Sequence, residues 1–453
     1  MSGAQTAEAR FQADFLARAG QLSANGHSWL APMRSSAIER FVALGLPTLR
    51  DEDWRKTDLR ALASTDFRPA VDVAASDPDA VAARVAELSF PDIESHRLVF
   101  VNGRLAPEHS QVGTLPEGVR VESLARTLDD APQLAQPHLG HVAQGEDDAF
   151  GALNTAFMTD GAFVIVPDGG TIQAPVHLIF LAASGADGAP VAHYPRNLYV
   201  IGDGSRATVL ETYAGLDDDG SVYLTNALSE AVVGTEGTLT HYKRQQESES
   251  AFHVARLEAR QEDRSTITNF NIALGGRLAR TDVGIHVDGS FCETLLKGLY
   301  MGHREQHIDN ITRLDHALPD CHSHERYKGI LDGQASAVFT GRILVRQDAQ
   351  KTDAIQENSG LLLSRDATIN TQPQLEIFAD DVKCTHGATV GELPENQLFY
   401  LRARGIPAEE ATGILTYAYA NEIIELIEIE PLRAQLEQLI RRRVRERFAS
   451  LKR

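Results

Sequence analysis

The sequence predicts a mainly β protein flanked by helices at both ends. Between residues 162 and 390, short apolar or alternating runs recur, such as Phe163-Val164-Ile165-Val166, Val176-His177-Leu178-Ile179-Phe180-Leu181 and Leu198-Tyr199-Val200-Ile201. They are separated by the dipeptides Asp168-Gly169, Asp203-Gly204, Glu236-Gly237, Asp288-Gly289 and Asp332-Gly333. Glycine after an acidic residue gives the chain the backbone freedom that tight turns use. On either side, the apolar spacing changes from two residues to three or four, the helical period. Short strands with polar corners and no crossover helices fit a β-sandwich, a barrel or a β-helix. The repeats are imperfect and irregularly spaced, so the pattern alone leaves the β-helix only slightly ahead.

The elements follow in order. Residues 7–19 place Phe11, Phe15 and Leu16 at helical spacing, and residues 35–44 do the same with Ile38, Phe41 and Val42. Leu98-Val99-Phe100-Val101 then reads as a strand, and Asn102-Gly103 after it is a strong hairpin signal. A second helical stretch is expected over residues 148–158. At the other end, Pro394, Pro407 and Pro431 mark first helical turns, where a missing N–H costs nothing, and Gly405 marks a helix end. The middle C-terminal helix is expected to bury Ile414, Leu415, Ala418, Ile423, Leu426 and Ile427, with Glu422, Glu425 and Glu428 outside. Its successor closes with Arg441, Arg442, Arg443, Arg445, Arg447, Lys452 and Arg453, a charge that complements a helix C-terminus and is expected to face water. The expected organisation is a helical region (1–95), a mixed α/β connection (96–158), a β core (159–391) and a helical domain (392–453).

Composition narrows the function. The chain has 453 residues, 43% of them hydrophobic, and a formal charge of −20 from 63 acidic against 43 basic residues. That balance argues against a nucleic-acid partner, which requires a basic footprint. Residues 1–20 lack a signal-type apolar core, and no run approaches membrane-spanning length, so no membrane partner is expected. Cys292, Cys321 and Cys384 are too widely spaced for a disulfide framework, and a reducing cytoplasm is the simplest setting. There is no phosphate loop of the G-x-x-x-x-G-K-[ST] type, no G-x-S-x-G elbow and no ferredoxin-like cysteine set.

The richest segment is Asp380-Asp381-Val382-Lys383-Cys384-Thr385-His386-Gly387. If it is extended, Asp380, Val382, Cys384 and His386 share one face. A thiolate and an imidazole two residues apart can reach the same metal or sulfur species, but they do not close a tetrahedral site. The geometry suggests half a site, completed from elsewhere. The competing reading is a packing cysteine and a backbone-bonded histidine. Asp320-Cys321-His322-Ser323-His324 also tempts a metal assignment, but it lacks a second cluster, and Cys292 reads as packing.

The same segment carries a resemblance. With Asn370-Thr371-Gln372-Pro373-Gln374-Leu375-Glu376-Ile377, Ala349-Gln350-Lys351-Thr352-Asp353-Ala354, Tyr327-Lys328-Gly329-Ile330-Leu331 and Leu398-Phe399-Tyr400-Leu401-Arg402-Ala403-Arg404-Gly405-Ile406-Pro407, it resembles the SufB/SufD scaffold family of the sulfur-mobilisation system for iron–sulfur cluster assembly. Arg50-Asp51-Glu52-Asp53-Trp54-Arg55-Lys56-Thr57-Asp58-Leu59 is similar to an N-terminal motif of the SufD branch, with Lys56 where that branch usually has tyrosine. The match is dense over residues 316–422 and weak before them. The resemblance implies a right-handed parallel β-helix core and a non-catalytic scaffold subunit. It also implies a SufB-like heterodimer partner and a SufC-like ABC-type ATPase docked on the C-terminal helices. His386 and Cys384 would stand at the SufB–SufD interface, with His386 the main contributor to the nascent cluster or iron site. No cofactor would be tightly held by this chain alone, only a transient iron–sulfur cluster or iron within the complex. A SufB-type paralogue is the alternative. More distant is a β-helix carbohydrate-active enzyme using Asp380 and Asp381, which on a strand would point to opposite faces.

Overall fold

The computed structural model describes residues 6–23, 29–70, 77–90, 93–143, 148–183, 188–216 and 220–450; of residues 21–23 and 447–450 only the backbone is described. Its centre is a parallel β-solenoid. Successive strands alternate between two sheets, one of eleven strands and one of ten. The first sheet runs from Ala162–Val166 through Arg196–Ile201, Tyr223–Val233, Phe252–Gln261, Leu278–Val287, His307–His316 and Ser336–Val345 to Thr368–Ile377. The second runs from His96–Val101 through Val176–Ala182, Arg206–Gly215, Thr238–Gln246, Thr266–Ala273, Glu293–Gly302, His322–Leu331 and Asp353–Leu362 to Lys383–Gly391. The pairing is parallel and in register, for example Leu278 with His307 and His307 with Ser336. One interior core runs between the sheets, from Leu98 and Phe100 at one end to Ala367 and Ala379 at the other.

The corners explain the turn residues. Gly169, Gly204 and Gly333 adopt left-handed backbone, as the acidic-glycine dipeptides suggest. The corner that begins with Gly169 and Gly204 continues with non-glycine residues doing the same job: Glu236, Arg264, Phe291, Asp320 and Lys351 all have φ between 55° and 63°. Each donates its backbone N–H to the corner that follows, as Phe291 does to Pro319 and Asp320 to Gln350. A hydrogen bond repeated at each step offsets the roughly 1–2 kcal/mol that left-handed backbone costs.

The solenoid's first end is closed. Arg120–Ser123 pairs antiparallel with Ala162–Val166, and the Asn102-Gly103 turn joins His96–Val101 to Arg104–Leu105. Helices Ala7–Ser23, Leu30–Leu44 and Ala149–Phe157 pack together around Phe11, Phe15, Phe41 and Phe157. Asp148 caps the third of them by accepting from the Gly151 N–H. Leu16, expected inside, is 67% exposed; the first helix buries the stripe Ala7, Phe11 and Phe15 instead.

The Trp54 motif clamps this region to the outer face of the first sheet. Trp54 stacks on Phe150 at 5.3 Å, and the Arg280 guanidinium lies 3.7 Å from its ring centroid. Asp53 accepts from Arg313 and from Arg342, neighbours on adjacent strands. Burial alone would raise the Asp53 pKa, but those two guanidinium groups hold it below its ordinary value.

The C-terminal helices are Glu395–Ala403, Ala408–Ile424 and Glu430–Ser450, with Gly405 left-handed between the first two. The last two cover the second sheet, where Ile423, Ile424, Ile427, Leu432, Leu436 and Ile440 meet Leu210, Tyr242, Phe270, Ile272 and Leu299. The buried face of Ala408–Ile424 differs from the expected one. Ile414 and Ala418 are exposed, while Ala411, Thr416 and Ala420 are buried, because small residues let the helix approach the sheet. Glu422 keeps about half of its side chain exposed, yet it also bridges Arg326 and Lys328 of the second sheet at 2.8 and 2.5 Å. The arginine-rich end is not wholly solvated either. Arg443 turns inward onto the Leu274 carbonyl, and burial lowers its pKa to about 10. The Arg447 side chain, Lys452, Arg453 and Pro91 lie outside what is described.

Candidate functional site at the open end of the solenoid

The second end of the solenoid is uncovered. Thr368–Ile377 and Lys383–Gly391 are the last strands of the two sheets, each paired on one side only. Almost every residue of Lys383–Gly391 is exposed. An unpaired edge presents a row of free N–H and C=O groups, a template that another chain can extend.

His386 and Cys384 lie on this strand. Cys384 pairs in register with Ala354 and packs against the interior core. Burial raises its thiol pKa. His386, two residues on, shares that inward face but is exposed, because no further turn covers it. Val382 packs against the same core as Cys384, so of the expected four-residue face it is Asp380 that drops out. Residues 380–382 form the corner before the strand, where Asp380 is exposed and Asp381 is paired with Lys351. Among the described residues, no three His, Cys, Asp or Glu side chains cluster closely enough to hold a metal ion.

The Asp320–His324 group is dispersed. Cys321 points inward and donates to the Gly289 carbonyl at 3.2 Å, beside the equally buried Cys292, whose thiol donates to Glu262. His322 and His324 point outward, and Ser323 faces inward to His316. Strand alternation separates thiol from imidazole here.

The solenoid interior holds polar groups that the sequence reading passed over. Glu211 accepts from Tyr199, Ser229 and His241 at 2.6, 2.6 and 3.0 Å. Burial opposes its ionisation, yet His241 and these donors lower its pKa to about 2. A small cavity beside it is lined by Ser229, His241, Lys243, Asn269 and Thr281. Nearer the open end, Glu325 is fully buried and accepts from Thr312 and Gln356 at 3.0 and 2.9 Å. With only neutral donors, burial raises its pKa to about 7. The available signal was polar residues at inward positions of alternating strands, as in Thr238–Gln246.

Comparison with known proteins agrees with this architecture. Residues 181–419 match the family described as "SUF system FeS cluster assembly, SufBD core domain", and residues 5–178 match "SufBD protein N-terminal region". The chain is 33% identical over 427 residues, 92% of each chain, to the SufBD family iron–sulfur cluster assembly protein slr0076 of Synechocystis. It is 31% identical to the iron–sulfur cluster assembly protein SufD of Escherichia coli, over 90% of this chain and 91% of that one. It is 30% identical to the chloroplastic protein ABCI7 of Arabidopsis thaliana, over 90% and 84%. With a two-sheet solenoid, both family regions and relatives matching along nearly the whole chain, this protein belongs to the SufBD family of iron–sulfur cluster assembly proteins.

Proposed function

We propose that this chain is the SufD-type, non-catalytic scaffold subunit of a cytoplasmic SufB–SufC–SufD assembly complex. The carrying observation is the position of Cys384 and His386 on the uncovered terminal strand. In this reading a SufB-like partner continues the sheet there and brings the principal thiolate. His386 offers a neutral nitrogen to iron or to the nascent cluster, and Cys384 assists from the half-buried position beside it. The iron or cluster is cargo, held transiently in the complex. A SufC-like ABC-type ATPase docks on the C-terminal helices. Its contact falls on Glu395–Ala403, which buries none of its residues and leaves Phe399 74% and Tyr400 55% exposed. That no helix of the described residues is long and apolar enough to cross a membrane is compatible with this setting.

The test is affinity purification of the tagged chain from its own host. The expected result is a stable assembly containing a SufB-like chain and an ABC-type ATPase, with iron and sulfide. A chain recovered alone or only with itself, across mild salt conditions, contradicts the proposal.

A further inference from the structure

Gln356 is the register neighbour of His386, in the inward column Leu296–Glu325–Gln356–His386 of the second sheet. It is 1% exposed, and its Oε1 has no hydrogen-bond partner among the described residues. A buried acceptor left this way costs about 1–3 kcal/mol and calls for an explanation. The other end of the amide is fixed. Nε2 donates to Glu325 Oε2 at 2.9 Å, and Thr312 donates to the same oxygen at 3.0 Å. That oxygen acts as the acceptor for both donors, so the amide presents its N–H end to it. Oε1 is the end of the amide not engaged by Glu325, and the strand on the other side of Gln356 is the one that carries His386. The facing sheet is cut back to make room. A Cβ on Gly341 would meet Gln356 Nε2 at 2.1 Å and the amide carbon at 2.5 Å.

We propose that Gln356 is a positioning residue for His386: when the exposed His386 ring turns toward it, the unpartnered Oε1 accepts the N–H of one imidazole nitrogen, leaving the other nitrogen's lone pair free to meet iron. The proposal rests on the reading of His386 given above. A second hydrogen bond of this kind commonly fixes the tautomer and orientation of a ligating histidine. Glu325 and Thr312 hold the amide, and Gly341 gives it space.

The test is the His386 tautomer in the full chain. It is read by long-range proton–nitrogen correlation NMR after selective ¹⁵N-histidine labelling, with the signal identified by its loss in His386→Ala. At a pH where the ring is neutral, the wild type is expected to hold one tautomer. Gln356→Leu is expected to return the ring to the free-histidine ratio. Gly341→Ala, which displaces the amide without altering any hydrogen-bonding side chain, is expected to do the same, with thermal unfolding confirming that both variants fold. In the purified complex, both should weaken iron retention on the order of tenfold. A free-histidine ratio in the wild type, or a fixed tautomer surviving in both variants, overturns the proposal. The tautomer measurement needs no iron, so it fails separately from the site reading, which fails if the His386→Ala complex keeps its iron.

Discussion

At the scale of single residues, side chains that hold the fold separate cleanly from those available for chemistry. Trp54 belongs to the first kind. Its contacts with Phe150 and the Arg280 guanidinium join the N-terminal region to the solenoid. Trp54→Ala should destabilise the protein by roughly 2–3 kcal/mol, below the ~3–5 kcal/mol of a fully buried aromatic because Trp54 is only partly buried. Denaturant unfolding checks this, and an unchanged midpoint would remove the clamp. Glu325 has a pH signature. Its folded pKa, about 7, is raised above the ordinary 4.5, so the folded state binds the proton more tightly than the unfolded one. The sign follows: the contribution of the neutral form is complete below about pH 4.5 and is lost as pH rises toward 7, a difference of roughly 3 kcal/mol. Glu325→Gln should therefore raise the melting temperature at pH 8 and have little effect at pH 5. A gain of equal size at both pH values would show that Glu325 does not titrate there.

At the scale of elements, the terminal strands and the short helix Glu395–Ala403 carry the interactions proposed for this chain. Proline is tolerated in sheets at their edges, and Pro373 lies in Thr368–Ile377, so that strand is the poorer template for extension. Lys383–Gly391 has no proline. Amide hydrogen exchange over residues 383–391 should be fast in the isolated chain and slow by at least tenfold after a SufB-like partner is added. Protection confined to the N-terminal helices would place the partner elsewhere. The C-terminal region is not freely removable, because Ala408–Ile424 and Glu430–Ser450 cover apolar side chains of the second sheet. Truncation after Gly391 would expose that surface and confound any docking experiment. Phe399→Ser with Tyr400→Ser is the cleaner change. It should abolish capture of a SufC-like ATPase while leaving the melting temperature within about 1 °C, since surface substitutions rarely cost more than ~0.5 kcal/mol. Retained capture would move the docking face off this helix.

At the scale of the whole molecule, the layout could be read in the sequence where local chemistry decides it. Asn102-Gly103 marked its turn, Asp148 its helix start and Gly405 its helix end, because each answers a backbone demand confined to a few residues. The solenoid was less legible. Alternation and acidic-glycine corners announce strands, but which strands pair depends on contacts about one coil apart, and family resemblance supplied that step. Periodicity mistook the buried face of Ala408–Ile424, since small residues make the close approach and helical spacing alone favours the large ones. The interior polar column was missed because alternation says which residues face inward, not that an inward face will be polar. For the site, Cys384 and His386 were found by pattern. Their exposure at an open end, the loss of Asp380 from their face and the neighbouring Gln356 required the structure. The central claim is that the open end contributes His386 to an iron site completed by a partner. Iron and acid-labile sulfide, measured on matched purified complexes, test it most directly. His386→Ala should assemble normally yet lose most of both, Cys384→Ser should lose less, and Lys383→Ala should match the wild type; equal iron and sulfide in wild type and His386→Ala would contradict the claim.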